Sequence, residues 1–598
     1  MVMKGMAQYM YIESNEKFIL IDDVKSKLAL ELEEYFDVSL FNDLINKYII
    51  TTIQENKNRY LLSDDINFCK KILMLNYNDD SNISLNNYFN SSFFVRNIKI
   101  TPTTTIIYNL CDANKPVPAF IRNILYKYID ETIETCEEKE FELLGIYVKT
   151  TSKNVETYMQ NVIKRKDQLE RIKTSSFANS SSYMGSKKKL TGFIIEAMFP
   201  HCKDDSVFLD LMCGSGSISN ALAQIGNVFA SDAQSFCCLL AKIQGSGFNK
   251  HRAERLLKEL YEHYHLNLDK LSKIFYSELK IEDEIFRMNL DEKELLLKEY
   301  ELFIKSYNLY SDTYVCQNRI SSFINEKKRN PKSFPYCLFT YYFANIYFGV
   351  AQSIQLDSIR YAIDQIKNQE EKNWALGVLV VVTSLIATTY GGHFAQPKKL
   401  DINSLEEIIT QRSKSAWLEF SKRFITVAKE SEKYAFNIET IKGPWENAIN
   451  HFCDCDNQNL VVYLDAPYKR EEYSRYYHVL ETMVEYDYPA SEHKGRLRSK
   501  KTGERFSTEF FSKNISKIES VFETIILKIL RNQAICVWSY SNNGVASIIK
   551  VISNIQKETN CDIYIYSTPY KHSAQGKKVK KGFGKLDVTE YCIVFVQK

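Results

Sequence analysis

The chain has 598 residues, 45% of them hydrophobic and 25% charged, with a formal net charge of +3. That length predicts two or three domains around a substantial core, and so small a charge excludes a uniformly basic surface, so any polyanion contact must be local. The fourteen cysteines form no C-x-x-C pair, which argues against a zinc ribbon or a disulfide framework. A reducing cytosol and no metal centre are expected.

No basic-then-apolar leader opens the sequence, so secretion is not expected. Asp22 and Asp23 can cap a helix that places Val24, Leu28 and Leu32 on one face, and Ser39 can cap a second. "IITTIQENKNRYLL" then reads as two strands around an Asn-rich turn. Two helices and a hairpin make a winged-helix candidate at 17–65, inside an accessory α+β region spanning 1–175. The Ser- and Asn-rich "TSSFANSSS" (174–182) marks a linker or exposed loop.

Past that linker, "VFLDLMCGSGSISNALAQIGNVFASDAQ" (207–234) has the grammar of strand, glycine turn, helix and strand. Gly214 and Gly216 suit a sharp turn whose backbone approaches a ligand closely. Asp210 ends the first strand, and Asp232 ends the second, where an acid can bind ribose hydroxyls. The third glycine of G-x-G-x-x-G is missing, and so is the lysine of a phosphate loop, so an adenosine ligand without a pyrophosphate fits better than a dinucleotide. The cofactor-binding half is expected at 176–250.

A helical insert is expected at 251–455, with patterns such as "LDSIRYAIDQIKNQ". Within it "NWALGVLVVVTSLIATTY" (373–390) is too diluted by Thr and Ser for a membrane span and reads as a buried helix. From 456 to 598 a sheet resumes with "LVVYL", "AICVWSYS", "DIYIYS" and "TEYCIVFVQ", the last two as an antiparallel hairpin. The fold class predicted is α/β: a doubly wound, Rossmann-like sheet with a large helical insert and the N-terminal α+β accessory domain. At the end of "LVVYL" stand Asp465, Ala466, Pro467 and Tyr468, which bring a carboxylate, a stiff turn and an aromatic face to one sheet edge.

Three segments in order, "YMGSKKKL" (183–190), "FLDLMCGSGS" (208–217) and "YLDAPYKREEYSRYYHVLE" (463–481), resemble the Dam-like class of DNA adenine-N6 methyltransferases. "TYGGHFAQP" and "VWSYSNNG" are similar to segments of its longer members, and the likeness covers roughly 180–598. The resemblance implies S-adenosylmethionine as cofactor and double-stranded DNA as partner. It also implies a bacterial cytoplasmic setting in restriction–modification or phage defence, with companion restriction or defence subunits and no membrane association. By that resemblance Tyr183 and Lys187 border the cofactor, Asp210 approaches its amino group, Gly214 and Gly216 lie against it, and Asp232 takes its ribose.

The same resemblance explains the 465–468 cluster. The Asp465 carboxylate and the Ala466 carbonyl would accept the two hydrogens of an adenine amine, Pro467 would stiffen the turn, and Tyr468 would stack on a flipped base. The family prefers proline at position 466, so a catalytically degenerate DNA-binding relative is one alternative. An RNA adenine methyltransferase is another, since such a cluster recognises a planar amine rather than deoxyribose. Tyr473, Tyr477 and His478 would enclose the target base. DNA requires a local positive track, and "KGRLRSKKTGER" (494–505) offers Arg496, Arg498, Lys500 and Lys501.

Overall fold

The computed structural model describes residues 187–597 apart from 307–324, 391, 431–433, 454–458, 468–471, 493–494, 542 and 574–584. Before residue 187 it describes four short strands. The expected winged helix at 17–65 lies outside the described residues except for Ile19–Leu20, which pairs antiparallel with Tyr9–Met10. The linker at 174–182, Tyr183 and Tyr468 also lie outside them.

One mixed sheet organises the molecule. Its strands are β1 (Lys139–Leu143), β2 (Ile146–Thr150), β3 (Val207–Asp210), β4 (Val228–Asp232), β5 (Ile438–Lys442), β6 (Leu460–Leu464), β7 (Ile535–Ser541), β8 (Cys561–Ser573) and β9 (Lys585–Gln597). They lie in the order β1-β2-β8-β9-β7-β6-β3-β4-β5. The five strands from β5 to β7 are parallel, whereas β8 and β9 are the expected antiparallel hairpin. β1 and β2 extend the β8 edge, so part of the N-terminal region joins the sheet instead of standing apart.

Parallel strands are covered on both faces and therefore run apolar without alternation. Along β6, Val461 and Tyr463 face one core while Leu460, Val462 and Leu464 face the other. The helices used below are α1 (Ser217–Leu222), α2 (Ser235–Lys242), α3 (Lys250–Ile274), α4 (Val350–Gln365), α5 (Gln369–Ile386), α6 (Ala416–Glu430), α7 (His478–Glu485), α8 (Ile515–Arg531) and α9 (Ile548–Glu558). The second face is packed by α8 and α9, and the first core runs on continuously into the insert helices α3 to α6. α5 is the apolar stretch near 373–390, buried as expected, and no helix among the described residues is long and apolar enough to cross a membrane.

The boundary expected at 455 needs correction. β5 pairs in parallel with β4, from Ile438 beside Val228 to Lys442 beside Asp232, so the sheet resumes before residue 440. Five residues of moderate hydrophobicity, "IETIK", carry too little periodicity to announce a strand, and only the pairing partner makes them one.

The chain runs from β3 outward to β4 and β5, then returns to lay β6 on the other side of β3. Loops leaving β3 and β6 therefore part in opposite directions and open a crevice at the carboxyl ends of these strands, where ligands bind in open α/β sheets.

Candidate active site

Asp210 and Asp465 stand at that crevice. Asp210 is the last residue of β3, with its Cα opposite Tyr463, and Asp465 follows the last residue of β6. The glycine turn folds over Asp210. Its Oδ2 accepts from the Ser219 backbone N–H at 2.9 Å and the Ser219 hydroxyl at 2.5 Å, which ties the strand end to the first turn of α1. Gly216 has φ +74°, and a Cβ there would stand 2.7 Å from the Ala241 Cα. The position thus demands glycine twice, for the left-handed backbone and for the approach of α2.

Asp232 closes the same turn from β4. Its Oδ2 accepts from the Gly214 N–H at 3.1 Å and its Oδ1 from the Gln234 N–H at 2.9 Å. Both acids resist ionisation because the surrounding protein desolvates them, Asp210 being buried and Asp232 half-buried. Desolvation pushes Asp210 up to about 7 against its Ser219 hydrogen bonds, and the neighbouring Asp465 and Asp232 charges add to the rise. Asp232 is pushed up to about 6, again by desolvation and against its backbone hydrogen bonds. Negative charge held in poor solvation at a sheet crevice is a site for a ligand that carries positive charge and hydroxyls. S-adenosylmethionine fits that description through its ammonium, its sulfonium and its ribose.

Lys187, expected to border the cofactor, has a more specific position. Its Nζ lies 2.7 Å from Asp465 Oδ1, and its side chain is only 9% exposed. The pair joins the segment before the glycine motif to the strand end after the insert. Tyr570 on β8 is close enough for the Lys187 charge to oppose the rise that burial imposes on its hydroxyl. Tyr463, beneath Asp465, has its hydroxyl pushed far up by burial and by that carboxylate. Neither tyrosine stood out in the sequence, because strand tyrosines are ordinary core residues. Ala466 is buried against the second core and Pro467 is half-buried beside it.

Two of the residues expected around the target base are used elsewhere. Tyr477 is buried with its ring 5.6 Å from that of Phe236. His478 is wholly buried between two carbonyls, with Nδ1 3.0 Å from Arg475 O and Nε2 2.8 Å from Gly495 O. Burial pulls its pKa down to about 4 although both carbonyls favour the charged form. These residues fasten the loop after β6 instead of lining a base pocket. Tyr473 and Tyr476 are half-buried, and the His393 ring meets Tyr476 edge-on at 4.7 Å. That contact joins "TYGGHFAQP" to the segment after β6, as does the Phe394 N–H donating to Tyr476 O at 2.7 Å.

The basic segment divides in the same way. Arg498 is 7% exposed and forks onto Asp487, so it braces the loop and is removed from the set of phosphate contacts. Arg496 is half-buried with φ +57°. Lys500 and Lys501 are exposed, and Lys500 pairs with Glu472 at 2.6 Å. The insert docks on the same region: Arg360 donates to Met483 O at 3.1 Å and Val484 O at 3.4 Å, while Asp357 accepts from the Tyr486 hydroxyl at 2.6 Å. Among the described residues no cluster of three or more His, Cys, Asp or Glu could hold a metal ion.

Comparison with known proteins agrees with this geometry. Residues 183–373 match the family model of the D12 class N6 adenine-specific DNA methyltransferases, a span that includes Lys187, Asp210, the glycine turn and Asp232 and ends before Asp465. The chain is also 24% identical over 427 residues to the type II methyltransferase M.FokI of Planomicrobium okeanokoites, covering 70% of this chain and 52% of that protein. It thus spans about half the length of the relative it matches. The α/β sheet and both matches agree with the sequence resemblance, and the chain is similar to the Dam-like adenine-specific DNA methyltransferases.

Proposed function

We propose that this protein transfers a methyl group from S-adenosylmethionine to the exocyclic amine of adenine in double-stranded DNA. The observation that carries the reading is the meeting of Asp210 and Asp465 at the ends of adjacent parallel strands, with Asp232 beside the glycine turn. The bound cofactor supplies an electrophilic methyl on a cationic sulfur. The protein's own residues orient and desolvate. Asp465 and the Ala466 carbonyl accept the amine hydrogens, which draws the nitrogen lone pair out of conjugation with the ring, and Pro467 holds the two acceptors in register. Lys187 holds one oxygen of Asp465, so that the carboxylate presents its other oxygen in a fixed direction.

Tyr468 is assigned the stacking face for the extruded base, and Tyr183 a place at the cofactor. Lys500 and Lys501, with Arg496, are assigned to the phosphates. A bacterial cytoplasmic setting in restriction–modification or phage defence, with companion subunits, belongs to the same reading; the relative's name as a type II methyltransferase supports its restriction–modification part alone. The test is transfer of labelled methyl groups to duplex DNA, single-stranded DNA and RNA in parallel. Label on adenine of duplex DNA supports the reading. Label on RNA alone moves the protein to the RNA class, and cofactor binding without transfer to any acceptor identifies a degenerate relative.

A further inference from the structure

α2 begins three residues after Asp232, yet its N-cap residue Gln234 gives it no side-chain cap. The first-turn N–H groups of a helix have no intrahelical acceptors, and a local Ser, Thr, Asp or Asn usually supplies one. Here the acceptor comes from α7, about 246 residues away along the chain. Glu481 Oε1 accepts the Ser235 N–H at 3.0 Å, and Oε2 accepts the Phe236 N–H at 3.2 Å. Glu485, one turn on, accepts from the Ser235 hydroxyl and from Lys442 Nζ, the latter at 2.6 Å. Lys442 ends β5 beside Asp232. Glu481 is half-buried; desolvation raises its pKa, and the two N–H bonds oppose that rise.

This arrangement connects the two halves of the site. Asp232 Oδ1 is oriented by the Gln234 N–H, and the next two N–H groups of the same turn are held by Glu481. Glu481 sits on α7, the second described helix after Asp465 (the short helix Tyr473–Tyr476 precedes it), and Arg360 secures the carboxyl end of α7. A carboxylate at a helix N-terminus is favoured by the helix dipole as well as by the hydrogen bonds, so the contact is stiff.

Resting on the S-adenosylmethionine reading of the crevice, we propose that Glu481 is a positioning residue. From the catalytic half it fixes the turn that aims Asp232 at the cofactor ribose, so that cofactor binding depends on how the segment after Asp465 is seated.

The experiment measures S-adenosylmethionine binding by calorimetry on the full chain for wild type, Glu481→Ala, Glu481→Gln, Asp232→Asn and the double variant Asp232→Asn/Glu481→Ala. Loss of two charged hydrogen bonds to the turn should weaken binding about tenfold in Glu481→Ala, with the near-isosteric Gln variant in between. In the Asp232→Asn background Glu481→Ala should weaken binding less than about twofold, because its effect passes through Asp232. A purely structural role would lower the unfolding midpoint and leave affinity unchanged well below it, and that outcome overturns the proposal. Equal weakening in both backgrounds overturns it too, since it would show action by another route. Glu481→Gln folds even if the alanine variant does not, and wild-type affinity in it refutes the proposal alone. Absence of binding by the wild type overturns the reading of the crevice and the proposal with it.

Discussion

Asp210 stands in a tension that can be measured. A carboxylate with an ordinary value of 3.8 is pushed up to about 7 by burial, even though Ser219 hydrogen-bonds it twice. Between those two values the unfolded chain loses this proton while the folded protein keeps it. Stability from this group is therefore intact below about pH 4, falls as pH rises, and levels off above about 7, a total loss of roughly 4 kcal/mol. Asp210→Asn removes the titration and keeps an oxygen for Ser219, but it adds buried amide donors at a cost of about 1–3 kcal/mol. In the cofactor-free protein the variant should gain on wild type by about 3 kcal/mol between about pH 4.5 and pH 8. Urea denaturation at both pH values gives the two stability differences, whose change with pH is free of the amide term. The same variant should bind S-adenosylmethionine weakly, because the strained negative charge is what a cationic ligand relieves. A stability difference between variant and wild type that does not change with pH would refute the account of Asp210 as a carboxyl ionised against its environment.

The other expectations are narrower. Cofactor affinity should rise as pH climbs from about 5 to 7 and then level off, since Asp232 and Asp210 must ionise to accept hydrogen bonds and face a cation; calorimetry across that range checks it, and falling affinity would contradict it. Asp465→Ala should abolish transfer of labelled methyl groups while cofactor binding persists, and undiminished transfer would remove Asp465 from the reaction. Neutralising Lys500 and Lys501 should weaken DNA binding and reduce its log–log salt slope by about 0.9 for each phosphate the side chains no longer neutralise. Arg498→Ala should instead lower stability by about 1–3 kcal/mol, because the buried guanidinium holds the exposed Asp487, the Glu504 carbonyl and the Thr482 hydroxyl together, and a salt titration of DNA binding separates the two effects.

What could be read in advance was whatever a short window contains. "VFLDLM", the glycines and "NVFASD" announce strand, turn and strand because the backbone demands are local, and β3, α1 and β4 lie where those demands put them. The last two strands were equally legible as a hairpin. β5 was not, because "IETIK" becomes a strand only beside β4. The same distinction separates Lys500 from Arg498. Both belong to one basic run, but Asp487 claims Arg498 and nothing in the run's composition forecasts which charge turns inward.

His478 shows why residue type alone misleads at such a site. An aromatic segment after the turn proposed to hold the base invites the reading that every ring meets it, yet this imidazole spans Arg475 and Gly495 carbonyls. A neutral ring donates from only one nitrogen, so the second carbonyl meets a lone pair, and the contact persists because the surrounding core leaves neither partner another place. Burial holds the ring neutral down to about 4, so it adds no charge to the site at physiological pH. Its role is to pin the start of α7, and through α7 to fix Glu481 against the Asp232 turn. On the proposed reading, chemistry at the crevice is carried by three acids legible in the sequence, while their aim is set by residues legible only in the fold.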